Sequence, residues 1–502
     1  MRTKQAAAPQ ADEGQRGVVF PTDDSGRRST TTLGRGVVAD ALRVVDPAGS
    51  HAVERQSDWR TGYLPHFRRL VTAGLDSRAA ALSIARAGVD SMHRRMRVTT
   101  NDGADAPLDQ LFSHTAGHRY DTTTVTGEAA PVREFSLPYR GERLTGDALR
   151  RQLGAWVAGG VIEPSCAHAV ETVTANPDWL ALPGRTVLVL GAAAEMGPLT
   201  SLMRWGATVA AVDLPRPALW NRLLEVARHG GGTLLAPSLP PGSTTDATGS
   251  GNAVGADLIN DLPAVADWIT CLDGELVLGN YVYADGATNV RLSVAVDALT
   301  AELQGRRPDT ALAFLATPTD VFAVPPDAVA HAQRAYSRAR PPARVARRTL
   351  RSVSRGRLLH PSYTGSDGVG ICDALVPQQG PNYALAKRLQ RWRAMVARDE
   401  GATVSFKVAP PTRTRSVVKN KALAAAYAGA HRFGVEIFEP ATSNTLMAAL
   451  LVHDLHTGSP PHPDPWQDEA EAAAHGGLWR VAYEPRSALG LAALLGLGAS
   501  RR

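Results

Sequence analysis

The chain has 502 residues but only five lysines, Lys4, Lys387, Lys407, Lys419 and Lys421, and arginine carries nearly all of its other positive charge. Cysteine is also scarce. Cys166, Cys271 and Cys372 lie far apart and form no C-x-x-C unit, which excludes a zinc-finger framework or a disulfide scaffold and points to a reducing compartment. Aromatic residues are 6% of the chain and do not interleave with a basic face, so no nucleic-acid partner is expected. No apolar run reaches 18 residues, so no integral membrane span is expected. The N-terminal "MRTKQAAAPQADEGQRG" lacks the apolar core of a secretory signal, and the expected location is cytoplasmic.

Composition is otherwise ordinary for a folded protein, with 44% hydrophobic and 20% charged residues and a net charge of +6. Four regions differ in texture. Residues 1–35 are rich in Ser, Thr, Gly and Arg and are expected to be a disordered tail. Residues 36–180 carry apolar positions at helical spacing, for example "LPHFRRLVTAGLDSRAAALSIARAG", and read as a mainly helical accessory domain with a small hairpin near 118–141. From 181 to 460, short apolar runs alternate with amphipathic segments. That rhythm predicts an α/β fold, a doubly wound parallel sheet, interrupted by an insertion at about 326–370. Residues 461–502 are expected to complete the domain with a strand near "LWRVAY" and a helix.

The stretch "RTVLVLGAAAEMGPLTSLMRWGATVAAVD" places Gly191 directly after an apolar strand, Gly197 at the start of the next helix and Asp213 at the end of the second strand. In a dinucleotide site, Gly191 permits the tight turn, Gly197 admits the pyrophosphate, and Asp213 accepts hydrogen bonds from the adenosine ribose. Glu195 and Met196 occupy the turn itself, and Glu195 brings negative charge near a phosphate. A strand-end aspartate also suits S-adenosylmethionine, so the turn alone leaves a methyltransferase open. Asp213 favours NAD over NADP.

Tyr383 and Lys387 stand one turn apart on a helix expected over 382–399, so their side chains share a face. With ten tyrosines and five lysines in the chain, chance predicts roughly 0.1 such pairs. An ammonium beside a phenol stabilises the phenolate and makes it a usable proton donor or acceptor for a carbonyl/alcohol pair. On these residues the chain resembles a divergent member of the short-chain dehydrogenase/reductase family, over roughly 185–455, with an unrelated N-terminal helical region.

That resemblance implies NAD or NADP as cofactor and interconversion of an alcohol and a carbonyl on a small-molecule substrate. It matches Tyr383 and Lys387 to the family's catalytic pair, with Lys387 also binding the nicotinamide ribose. It matches Asp257 in "GADLIND" and Asn280 in "LVLGNYV" to cofactor-binding positions, Asn289 to a helix asparagine that holds a relay water, and Pro410 and Thr414 to the loop over the nicotinamide. The family's catalytic serine, by counting, falls on Gly370. Thr317, Thr319 and Ser366 are the candidate replacements. The family also implies a homo-oligomer. The arginine-dense segment 334–357 is expected to be a solvated loop or a docking surface for an anionic carrier or lipid, and the basic "TRTRSVVKNK" that follows the loop is compatible with an anionic substrate. A non-catalytic dinucleotide-binding protein stays open beside the enzyme.

Overall fold

The computed structural model describes residues 16–23, 25–99, 103–113, 120–240, 254–338, 341–364 and 368–497. Seven strands form the main sheet: β1 (Asp121–Thr126), β2 (Arg185–Leu190), β3 (Thr208–Val212), β4 (Thr233–Ser238), β5 (Glu275–Asn280), β6 (Ala311–Ala316) and β7 (Val404–Val408). Their spatial order is β7-β6-β5-β2-β3-β4-β1. All neighbours are parallel except β1, which runs antiparallel to β4 along the pairs Asp121↔Ser238 to Thr126↔Thr233. The architecture is therefore α/β with a mostly parallel sheet flanked by helices, compatible with a Rossmann-like fold. The chain reverses direction of travel across the sheet between β2 and β5, and the crevice at their C-terminal ends is where such sheets take ligands.

The strands are nearly continuous apolar runs because both faces are covered. Leu188 and Leu190 of β2 pack on one face with Val290, Leu385, Leu389, Val37 and Met92. Val187 and Val189, pointing the other way, pack with Leu149, Val170, Leu202, Leu446 and Leu450. The period-2 alternation thus divides one strand between two cores.

The region expected as an accessory domain is distributed over both faces. Helix Thr30–Leu42 and helix Arg78–Arg95 form an outer layer on the helices Gly286–Arg306 and Gly380–Asp399, while helices Gly146–Ala158 and Pro164–Ala175 cover the opposite face. Part of the expected hairpin is strand β1 itself; Leu137–Tyr139 and Glu142–Leu144 make the remaining ladder. The outer layer is tied down by Asp297, whose carboxylate accepts from Arg393 at 2.8 Å and meets His93 at 2.6 Å. The expected tail is in part structured. Gly17–Val19 pairs with Arg97–Thr99, and helix Thr30–Leu42 begins with Ser29 accepting from the Thr32 N–H; residues 1–15 lie outside the described residues. Near the C-terminus the helix is present at Pro485–Gly496. Residues 478–483 form turns with one bridge, Pro361↔Tyr483, instead of a strand.

The insertion is also more ordered than a solvated loop. An antiparallel ladder of Val321–Val324 with Gly370–Asp373 closes its base, and it carries helices Pro326–Ser337 and Pro341–Val353. The second helix is held through Arg347, stacked 3.7 Å from the Tyr336 ring, and Arg351, which donates to the Tyr336 hydroxyl. Val345 and Val353 on it are 63% and 80% exposed. So little of this helix is buried that replacing 341–353 with a short Gly/Ser linker should move Tm by no more than a few degrees in a thermal melt. A collapse of the cooperative transition would show that the helix carries structural weight.

Helix Gly380–Asp399 explains where arginine goes in this chain. Arg388, Arg391, Arg393 and Arg398 are all buried. Asp320, 2% exposed, accepts from Arg388 at 3.0 Å and Arg391 at 2.8 Å, and Arg391 also donates twice to Glu469 at 2.6 Å. Burial alone would raise the Asp320 carboxyl, but the two guanidinium groups hold it below the usual carboxylate range. Removing one partner of a buried ion pair leaves uncompensated charge. Asp320→Asn should therefore lose about 3–5 kcal/mol in urea denaturation; an unchanged midpoint would mean that Glu469 compensates both arginines.

Candidate functional site

One cavity of about 700 Å³ opens at the C-terminal edge of β6 and β7. Its lining includes Met196, Asn289, Thr317, Thr319, Tyr383, Lys387, Pro410 and Thr414, eight of the positions expected from sequence. These come from the glycine turn, helix Gly286–Arg306, the ends of β6 and β7, and helix Gly380–Asp399.

Tyr383 meets the strand-end threonines through a chain of hydrogen bonds. The Gln379 Oε1 accepts from the Val376 N–H at 3.0 Å, so its amide nitrogen faces Thr319 and donates to Oγ1 at 2.8 Å. Thr319 Oγ1 lies 2.9 Å from Thr317 Oγ1. Either threonine hydroxyl can donate to the other, and Thr317 is also hydrogen-bonded to the Tyr383 hydroxyl. Gly370, where counting puts a serine, is packed into the ladder at the base of the insertion. A Cβ there would fall 2.5 Å from Val329 Cγ2 and 2.9 Å from the Tyr363 ring, so the position has no room for a side chain. Ser366 lies outside the described residues.

The expected partnership between Lys387 and the phenol is not made. The Lys387 ammonium donates to the Leu315 carbonyl at 3.2 Å and to Gln390 Oε1 at 3.0 Å, and Gln390 in turn donates to Asn280 Oδ1 at 3.2 Å. Burial pulls Lys387 down to about 8, with Asp320 opposing. The Tyr383 hydroxyl is raised by burial, against which the Thr317 hydrogen bond works, and stays protonated at neutral pH. Asn280 is buried behind Lys387 and does not line the cavity. Asn289 Oδ1 accepts from the Ala284 N–H at 3.0 Å, pinning the turn into its helix at the cavity wall.

The glycine turn lies beside this cavity. Gly191 has φ +78°, and a Cβ there would sit 3.0 Å from the Tyr281 carbonyl and Val282 Cα, so the close approach of the β2 and β5 ends requires glycine. Asp213 accepts from the Ala193 N–H at 2.9 Å and the Leu214 N–H at 2.8 Å. The helix after the turn starts at Leu199 and has seven residues, shorter and later than expected from Gly197. Glu195 does not confront the site as a bare charge: Arg415, the first residue of the short helix Arg415–Lys419 after β7, donates to it through its backbone N–H at 2.9 Å and its Nε at 3.0 Å. Asp257 is spent locally, accepting from the Ile259 N–H and the Asn260 amide at 2.8 Å, and lines no part of the cavity.

Gln379, Gln390 and Arg415 escape sequence reading. Gln390 had one signal, its place three residues after Lys387 on the same helix face; Gln379 and Arg415 act through loops, where spacing carries no such information. No family model, curated protein or solved structure matches this chain.

The burial of Lys387 has a measurable signature. Between about pH 8 and pH 10.5 the unfolded chain keeps the lysine proton while the folded chain releases it, so folding gains stability as pH rises through that window. The difference in unfolding free energy between native protein and Lys387→Met should shift in favour of the native protein over that range. A pH-independent difference would show that the ammonium carries no burial penalty.

Proposed function

We propose that this protein is a nicotinamide-dependent oxidoreductase that interconverts an alcohol and a carbonyl. The observation that carries the reading is the convergence of Thr319, Thr317, Tyr383 and Lys387 in one cavity at the C-terminal edge of a doubly wound sheet. Three features fit a dinucleotide. Gly191 leaves no room for a side chain at the sheet crevice. Asp213 retains lone pairs for ribose hydroxyls after accepting two backbone N–H groups. Arg415 neutralises Glu195 in the turn.

In this reading Gly191, Met196, Gly197 and Asp213 hold the dinucleotide, with Pro410 and Thr414 over its nicotinamide end and Lys387 beside its ribose. NAD is favoured over NADP because an acidic residue stands at the ribose position. When bound, the cofactor supplies or accepts the hydride. The chain supplies the proton. Tyr383, kept protonated by burial, donates to the carbonyl oxygen, and the Thr317 hydroxyl steadies the phenolate left behind. Lys387, held near pKa 8 by burial, keeps its proton at neutral pH and stays fixed by its hydrogen bonds to the Leu315 carbonyl and Gln390 Oε1.

Thermal stabilisation by NADH, NADPH and S-adenosylmethionine tests the cofactor, since a ligand that binds only the native state raises Tm. NADH should stabilise and S-adenosylmethionine should not; the reverse would make the protein a methyltransferase. On a carbonyl substrate, Tyr383→Phe should lower turnover by about 10²–10⁴-fold with cofactor affinity nearly intact, and Thr317→Val should show a smaller loss of the same kind. Unchanged turnover in Tyr383→Phe would remove the proton donor from the mechanism.

A further inference from the structure

The N-terminal segments bring an arginine to the same cavity. Thr30 and Thr31, at the start of helix Thr30–Leu42, and Arg60 and Thr61, on the short helix Trp59–Gly62, share its lining with Tyr383 and Lys387. The backbone around Arg60 is anchored on both sides. Asp58 accepts from the Thr61 N–H, Trp59 is buried and stacked on His66 at 5.9 Å, and the Tyr63 hydroxyl donates to the Val376 carbonyl at 3.2 Å. That last bond joins this segment to the turn that carries Gln379.

Three of the arginines near it in sequence are engaged, while exposed Arg55 lies outside the cavity. Arg35 donates to the Gln56 carbonyl, Arg69 pairs with Asp46, and Arg68 lies 3.7 Å from Asp373. Arg60 is different: among the described residues its guanidinium makes no hydrogen bond or ion pair. Among the described residues only three charged side chains line the cavity, Arg60, Asp285 and Lys387, and Asp285 already accepts from the Tyr283 hydroxyl at 2.9 Å. The exposed Arg60 guanidinium is thus an uncommitted cation on the cavity wall, with the hydroxyls of Thr30 and Thr31 and the amide of Gln378 also on that wall.

We propose that Arg60 binds an anionic group of the substrate, so that the protein acts on oxo or hydroxy compounds carrying a carboxylate or a phosphate. This rests on the oxidoreductase reading above. A guanidinium offers a planar fork of N–H donors that matches either group with two parallel hydrogen bonds. The reacting carbon lies at Tyr383 and the anion at Arg60, within one cavity that also admits the nicotinamide end of the cofactor. The N-terminal region is thus part of substrate recognition, and its departure from the dinucleotide unit is where the specificity lies.

The test is calorimetric titration of native protein and Arg60→Gln with two matched pairs, 4-oxooctanoate against its methyl ester and dihydroxyacetone phosphate against dihydroxyacetone. NADH binding is measured on the same samples. The native protein should prefer the anion of at least one pair, which also tells carboxylate from phosphate, and Arg60→Gln should lose about tenfold of that affinity while binding NADH normally. Arg60→Lys should recover part of it, and rising salt should weaken the native preference. Where turnover is seen, the loss should fall on KM more than on kcat, since Arg60 holds a group remote from the reacting carbon. Equal binding of acid and neutral partner, no binding of either anion, or an undiminished preference in Arg60→Gln would overturn the proposal. If NADH fails to bind while Arg60 still governs the anion preference, the oxidoreductase reading falls and the anion site stands.

Discussion

A single buried carboxylate, Asp320, holds the candidate site in register. It follows the strand-end Thr317 and Thr319 directly in sequence and binds Arg388 and Arg391, which follow Lys387 on helix Gly380–Asp399. The hydroxyl pair and the tyrosine-bearing helix belong to segments more than 60 residues apart, separated by the whole insertion. Without a rigid clamp, the long detour through residues 321–379 would leave the phenol and the hydroxyls free to drift by more than the ångström that proton transfer tolerates. Arginine suits this clamp because its fork can bind Asp320 and Glu469 together, as Arg391 does.

The lysine of this helix stands in contrast. Each of its arginine neighbours Arg388, Arg391, Arg393 and Arg398 pairs with a carboxylate, whereas Lys387 has a carbonyl and an amide oxygen for partners and so sits near the pH at which it exchanges its proton. Charge that must stay is arginine beside acid; charge that can leave is lysine among neutral acceptors. The residue type and the environment agree on that division of labour.

Much of the sheet was legible because its strands are apolar runs bounded by turn residues, and β2, β3, β4, β5, β6 and β7 fall where those runs fall. Strand β1 was legible only as one arm of a local hairpin, because "DTTTVT" is polar and exposed on an edge and its true partner lies more than 100 residues downstream. The helices before residue 180 were legible as helices but not as layers: amphipathic spacing says that a face is buried without saying against what. In the site, Tyr383 and Lys387 were legible because a helix turn makes them neighbours locally. Counting back to Gly370 failed because an insertion changes the count but not the geometry of the strand end. Asp257 matched by position, yet an adjacent asparagine and a backbone N–H absorb its carboxylate.

The antiparallel strand β1 has a bearing on how the chain is made. It leaves the ribosome before any of the parallel strands, and its hydrogen-bonding partner, Thr233–Ser238, emerges more than 100 residues later. The helices around it share that dependence: Val37 and Met92 are buried in a core built with the later helices Gly286–Arg306 and Gly380–Asp399, and Leu149 and Val170 in one built with β2 and helix Pro440–Thr457. The first third of the chain is thus completed by segments made later, a topology of distant contacts that favours slow folding.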